Sequence, residues 1–210
     1  MIIDLSHSIE MGMPVYPGTP SPQIYEECSI NKHGFKESHL NIVTHTGTHI
    51  DVPGHLFADG KSVDNFDCMK FYGTAEIINC KNLKKIDESQ ISKVYDPVRK
   101  PDFLLFFTGW SDYWGDKSYF TNFPLLTSNA SKLICQLPLK GIGIDAISFD
   151  ATGDDNLPNH KMLLKNEIIL LENLCNLNQL FGKTFILSCL PMKIKGGDGS
   201  PVRACAIIRD

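Results

Sequence analysis

Phe103-Leu104-Leu105-Phe106-Phe107 is apolar at every position. A strand with one wet face alternates apolar and polar residues, so an unbroken run needs cover on both faces. That puts residues 103–108 at the centre of a sheet with a layer on each side. Further apolar and β-branched runs predict strands at 2–5, 23–29, 40–44, 73–78, 141–145, 168–171, 185–189 and 202–209, with 23–29 alternating like a half-exposed strand. Helices are fewer. Thr127, Ser128 and Asn129 offer N-caps for a helix reaching Leu137, with Ala130, Leu133, Ile134 and Leu137 at helical spacing and Pro138 stopping it. Shorter helices are expected at 87–94 and 159–166, and the turn-rich stretches 12–22 and 109–124 read as surface loops. The mixture predicts an α/β layered fold with more than one sheet.

With 42% hydrophobic and 21% charged residues, the 210-residue chain can bury a sizeable core, and we read residues 1–210 as a single domain. A net charge of -4 without a dense Lys/Arg run argues against nucleic acid or an anionic membrane as partner, leaving a small molecule. No apolar run approaches the roughly 18 residues that span a bilayer. Met1-Ile2-Ile3-Asp4 lacks the basic start and apolar core of a signal peptide, so a cytoplasmic location is expected. The seven cysteines are scattered without a CxxC pair and read as reduced core fillers.

The chemistry concentrates in His45-Thr46-Gly47-Thr48-His49-Ile50-Asp51-Val52-Pro53-Gly54-His55. In an extended segment His45, Gly47, His49 and Asp51 all point to one face. On a helix Asp51 would lie roughly 200° round from His49 and could not join it. A straight strand has its own difficulty, because at roughly 3.3 Å per residue His45 and His49 stand about 13 Å apart. A bend or bulge is therefore expected at Gly47, the residue that tolerates unusual backbone angles. Pro53-Gly54 should then turn the chain and leave His55 beside the cluster without binding in it.

Imidazoles clustered with a carboxylate are how proteins hold Zn²⁺ or Mn²⁺. His160, at an expected helix start, and Glu172, ending an apolar run, offer a second pair. The alternatives are a loop histidine and a surface cap. Asp145 and Asp150 read as caps of backbone amides. Trp110, Tyr113, Trp114 and Phe120 could wall an aromatic pocket, pack their loop down or fill a subunit interface. Arg203 is assigned no chemistry.

The eleven residues from His45 to His55 resemble the HxGTHxDxPxH signature of the cyclase family, which includes bacterial kynurenine formamidase and isatin hydrolase. Asp4-Leu5-Ser6, Pro14-Val15-Tyr16-Pro17-Gly18, Thr108-Gly109-Trp110 with Tyr113-Trp114, Gly143-Ile144-Asp145, and Gly196 through Ala204 extend the resemblance along nearly the whole chain. It implies a swivelling β/β/α-type domain with mixed sheets and flanking helices. It also implies two divalent ions, zinc before manganese. His45, His49 and Asp51 would bind one, Asp51 and His160 the other, with Glu172 shared. His55 falls on the family's proton donor and acceptor, and Tyr16 on a substrate-contacting aromatic that formamidases carry as tryptophan before Pro-Gly-Asp. Here the segment reads Tyr16-Pro17-Gly18-Thr19. The implied activity is arylformamidase-like hydrolysis of N-formylkynurenine to kynurenine and formate, in tryptophan catabolism, by a homodimer or larger homo-oligomer. The alternatives are a lactam or lactone hydrolase or cyclase on the same scaffold, and a metal-binding protein without turnover.

Overall fold

The apolar run takes the middle of a nine-stranded sheet. In the computed structural model, which describes residues 1–209, the chain forms β1 (Ile2–Asp4), β2 (Gln23–Cys28), β3 (Glu37–Asn41), β4 (His49–Asp51) and β5 (Tyr72–Asn79). There follow β6 (Lys85–Ile86), β7 (Phe103–Phe107), β8 (Leu125–Leu126) and β9 (Gly141–Ile144). The last four strands are β10 (Ile169–Glu172), β11 (Phe185–Ser188), β12 (Gly199–Pro201) and β13 (Cys205–Ile208). The large sheet has the order β1-β13-β11-β5-β7-β9-β10-β4-β12, with β7 fifth of nine. β5, β7, β9 and β10 run parallel to their neighbours within that group, and the flanking pairings are antiparallel.

Alternation along β7 feeds two separate cores, as double cover requires. Phe103, Leu105 and Phe107 enter the core that also holds Ile3, Ile50 and Ala206. Leu104 and Phe106 enter the other, with Ile142, Ile144 and Leu170. The first core draws on both ends of the strand order, so the sheet curls and packs its far strands against one another. β9 reads Gly141-Ile142-Gly143-Ile144, and its glycines face this crowded concave side. A Cβ on Gly143 would lie 2.7 Å from Leu105 Cδ2 and 2.8 Å from Leu174 Cδ1. The curl needs the space that glycine leaves.

Helices cover the other face. α1 (Ile30–His33) is a single turn at the tip of the β2–β3 ribbon, while α2 (Glu88–Val94), α3 (Ser128–Gln136) and α4 (Pro158–Lys165) bury Ile91, Ala130, Ile134, Leu163 and Leu164 in the second core. Thr127 caps α3 by accepting from the Ala130 amide at 3.2 Å, a contact of the kind that contributes about 1 kcal/mol. Asp87 caps α2 with Gln90 returning to its backbone. Among the described residues no helix is long and apolar enough to cross a membrane.

Two predicted strands are corrected. Residues 40–44 were expected to form one, but the strand is β3, which pairs with β2 in a separate ribbon and is exposed along all five residues. Its partner fixes it there, with no core to bury it. The stretch 202–209 was expected as one strand and is broken. β12 lies at one edge of the sheet and β13 next to the other edge, and residues 202–204 cross between them. Val202 N donates to Thr48 O at 3.0 Å, and Leu5 N donates to Ala204 O at 2.9 Å. Those bonds draw the two ends of the sheet together. The short parallel pair β6–β8 carried no sequence signal.

Candidate metal centre and active site

Three strands and one helix start bring distant segments to one place on the helix-bearing side of the sheet. β4 lies between β10 and β12, with Glu172 opposite His49, and Gly199 opposite Asp51. His49 and Asp51 share a face by strand alternation, and the register puts Glu172 on that same face. Ile50, between them, goes to the opposite core.

The expected bend at Gly47 is present, at φ +63°. It differs from expectation in one respect: the strand begins only at His49, so His45 reaches the centre through the turn and not along the pleat. The bend also aims the Gly47 carbonyl inward, where it accepts from Asn173 Nδ2 at 2.8 Å. The same oxygen lies 2.8 Å from His49 Nδ1. An acceptor at Nδ1 means that nitrogen carries the hydrogen, leaving the Nε2 lone pair for the centre.

His160 is oriented the same way. Asp150 accepts from the backbone amides of Asn159 and His160, both at 3.0 Å, capping the start of α4. Its Oδ2 also lies 2.8 Å from His160 Nδ1. His160 Nε2 then stands 3.2 Å from Glu172 Oε1 and 3.5 Å from Asp51 Oδ2. His49 Nε2 stands 3.3 Å from Asp51 Oδ1 and 3.6 Å from Glu172 Oε2. His45 points Nδ1 to Asp51 Oδ1 at 2.6 Å, with Nε2 2.9 Å from Asp198 Oδ2.

Three imidazoles and two carboxylates thus converge, and His49, Asp51, His160 and Glu172 are each at most 4% exposed. Asp51 Oδ1 is buried and, although His45 Nδ1 stands 2.6 Å away, no group among the described residues meets it in hydrogen-bonding geometry. Two carboxylates so deep require positive charge beside them. Although burial opposes charge on Asp51, His45, His49 and the hydrogen bond from His160 hold its carboxyl well below the usual range. Burial likewise opposes charge on His45 and His160, yet their carboxylate neighbours raise His45 to about 10 and His160 well above its ordinary value. The donors His45, His49 and Asp51 lie within 4.8 Å of one another, as do those of Asp51, His160 and Glu172. Nitrogen and carboxylate donors around an orphaned carboxylate oxygen suit a divalent cation.

His55 closes the one-turn helix Pro53–His55. Its ring centroid is 4.2 Å from that of His45 and 6.4 Å from that of His160. Burial, with His45 and His160 beside it outweighing Asp51 and Asp198, holds it below the ordinary imidazole value. A neutral imidazole there can accept a proton. The centre forms the floor of a cavity of about 540 Å³ whose walls include Tyr16, Val43, Ile147 and Leu157. The Tyr16 hydroxyl accepts from the Gly153 amide at 2.9 Å, leaving its ring on the wall.

Trp110, Tyr113, Trp114 and Phe120 are not among the residues lining this cavity. Trp110 donates Nε1 to Tyr119 O at 3.1 Å, and Trp114 stacks on His7 with centroids 3.8 Å apart. Trp110, Trp114 and Phe120 pin their loop to the second core, while Tyr113 stands exposed. Asp145 is a cap, accepting from Thr108 N, Thr108 Oγ1 and Gly109 N. Arg203 pairs with Asp4 at 2.7 Å, away from the centre. Sequence reasoning missed two residues in contact with the centre, Asp150 as the partner of His160 and Asp198 as that of His45. The glycine-rich setting of Asp198 at 196–199 was the available signal.

The fold and the site together define a helix-covered curled sheet whose cavity floor gathers imidazoles and carboxylates for a divalent ion. The chain belongs to the cyclase family, whose model, described as "Putative cyclase", matches residues 3–151. It is 32% identical over 206 residues to a kynurenine formamidase of Geobacillus thermodenitrificans, covering 96% of this chain and 95% of that one. It is 30% identical over 219 residues to "Cyclase-like protein 3" of Oryza sativa, covering 99% and 80%. Isatin hydrolase A from Labrenzia aggregata, solved with benzyl benzoate, superposes with a TM-score of 0.88 at 26% identity, covering 100% of this chain and 94% of that one.

Proposed function

We propose that the chain is a metal-dependent hydrolase of the carbon–nitrogen bond in a small amide, with N-formylkynurenine as substrate. The observation that carries this reading is a buried cluster of histidines and carboxylates at a cavity floor with a further histidine, His55, beside it. A purely structural site has no need of that extra base. In this reading His45, His49 and Asp51 hold one divalent ion, Asp51 and His160 a second, and Glu172 serves both, with zinc favoured over manganese. A divalent ion at this position lowers the pKa of water and polarises a substrate carbonyl.

The chain's own residues do the rest. Neutral His55 takes a proton from the water attacking the formyl carbon. As the carbon–nitrogen bond breaks, His55 gives that proton to the departing amine, leaving kynurenine and formate. The ring of Tyr16 supplies an apolar wall for the aryl group. The full-length likeness to isatin hydrolase A favours a second reading, in which the same residues open the carbon–nitrogen bond of a lactam. Apolar side chains at Tyr25, Phe35 and Leu40 stand exposed on and beside the β2–β3 ribbon and support a homo-oligomer, which we place in the cytoplasm.

The test is a purified sample of measured zinc and manganese content, assayed on N-formylkynurenine, isatin and simple lactams. Release of kynurenine and formate supports the first reading and isatin opening the second. Turnover of none of them by metal-loaded protein would overturn both.

A further inference from the structure

Each imidazole of the centre has an acceptor behind it. His49 has the Gly47 carbonyl, His160 has Asp150, and His45 has Asp198. Of these three acceptors only Asp198 faces two histidines, its Oδ2 lying 2.9 Å from His45 Nε2 and 3.6 Å from His55 Nδ1. Resting on the hydrolase reading above, we propose that Asp198 is a positioning residue that sets the tautomers of His45 and His55 together. A carboxylate oxygen only accepts, so His45 Nε2, within hydrogen-bond range at 2.9 Å, carries a hydrogen, and the negative oxygen 3.6 Å from His55 Nδ1 favours the hydrogen on that nitrogen too. With an ion bound, His45 Nδ1, 2.6 Å from Asp51 Oδ1 in this structure, would give up its hydrogen and turn its lone pair to the ion, while His55 keeps its Nε2 lone pair for the attacking water.

The surroundings hold Asp198 to this task. Its Oδ1 accepts from Thr44 Oγ1 at 2.8 Å, and its backbone oxygen accepts from Val52 N at 3.2 Å, tying the carboxylate to both ends of the 44–52 segment. Gly199 is pressed against the same histidine: a Cβ there would lie 2.8 Å from His45 Cε1 and 2.6 Å from Ile50 O. The loop can press Asp198 against His45 because residue 199 has no side chain. Thr44, His45, His55 and Asp198 all line the cavity, so the shared carboxylate borders the space in which substrate would sit. One side chain therefore links the grip on the ion to the readiness of the base.

The experiment compares wild type, Asp198→Asn and Asp198→Ala by nitrogen-detected NMR of ¹⁵N-histidine-labelled, metal-loaded protein, by chelator competition and by steady-state kinetics. In the wild type His55 is expected as the Nδ1–H tautomer and His45 as the Nε2–H tautomer. In Asp198→Ala, His55 moves to the Nε2–H form that free imidazole side chains prefer. Metal affinity and kcat each fall about 10- to 100-fold, the range seen when such an outer partner is removed. KM stays within about twofold, a split that a merely loosened fold would not give. Asp198→Asn, with an acceptor oxygen retained, recovers one of the two tautomers and part of kcat. Unchanged tautomers in Asp198→Ala, or loss of kcat only in proportion to loss of folded protein, would overturn the proposal. The NMR readout needs no substrate, so a wild-type protein that hydrolyses nothing tested would count against the hydrolase reading and leave the tautomer result standing on its own.

Discussion

The centre has two halves built in different ways. His49, Asp51, His160 and Glu172 come from paired strands and a capped helix start and are almost wholly buried. His45, His55 and Asp198 come from turns, with side chains 21%, 28% and 41% exposed. Burial makes the first half rigid and intolerant, because every polar atom there must find a partner in a medium without water. Exposure lets the second half trade protons with solvent. In the proposed roles, His45 reaches from the open half to an ion held mainly by the buried one, while His55 stays where protons can be exchanged with solvent.

Breaking the buried half should have the largest effect. Asp51→Ala removes the carboxylate shared by both proposed ion sites. Metal content should fall to background by elemental analysis and hydrolysis should vanish with it, whereas a variant that retained its metal would refute the shared role. In the open half, His55→Ala should keep metal and fold while kcat drops roughly 10²- to 10⁴-fold, the usual worth of a positioned acid–base group. A variant as active as the parent on a verified substrate would remove His55 from the chemistry. Asp150→Ala should lower metal affinity about 10- to 100-fold by freeing His160. It should also cost roughly 1–2 kcal/mol of stability through the lost cap of α4, read from a denaturant titration of the metal-free protein.

A carboxylate outside the centre sharpens the same contrast. Asp145 is as deeply buried as Asp51, but burial outweighs its hydrogen bonds and pushes its pKa up from 3.8 to about 6. The folded state therefore holds a proton that the unfolded chain has released, and stability contributed by Asp145 is lost as pH rises through that interval. The loss amounts to roughly 3 kcal/mol across the window from about pH 4 to 6. In Asp145→Asn that component of the pH dependence should disappear from the difference in unfolding free energy, and an identical profile in parent and variant would refute it. The smallest effect is expected at the wall. Tyr16→Phe deletes the hydroxyl that holds the Gly153 amide and should change KM by a few fold with kcat preserved.

Much of this architecture was legible in residue order. The double cover of 103–107 placed the central strand, the threonine cap and helical spacing placed α3, and the odd-numbered spacing of His49 and Asp51 placed both on one face. Glycine at 47 announced a bend before any backbone was traced. His45 was harder, since where a strand begins depends on its hydrogen-bond partners, and those of β4 come from residues 170–172 and 199–201. Asp150 and Asp198 were harder still. An aspartate in a loop caps backbone amides far more often than it steadies an imidazole, and no local pattern tells the two apart. That the strand expected over 202–209 shrinks to β13, with 202–204 crossing from β12, followed from closure of the curl, which is a property of the whole sheet.

The pairing of Glu172 with His49 across the β4–β10 ladder makes the centre a gauge of strand register. Side chains along a strand alternate faces, so a slip of one residue between these strands would send Glu172 to the apolar side and bring Leu171 to the place opposite His49. Nearly all of the backbone hydrogen bonding could survive such a slip, and so could most of the burial. An insertion or deletion within 169–172 would therefore dismantle the centre and press the Glu172 carboxylate into the apolar core without a partner. Metal retention would report on β-sheet alignment in a way that a melting curve could not.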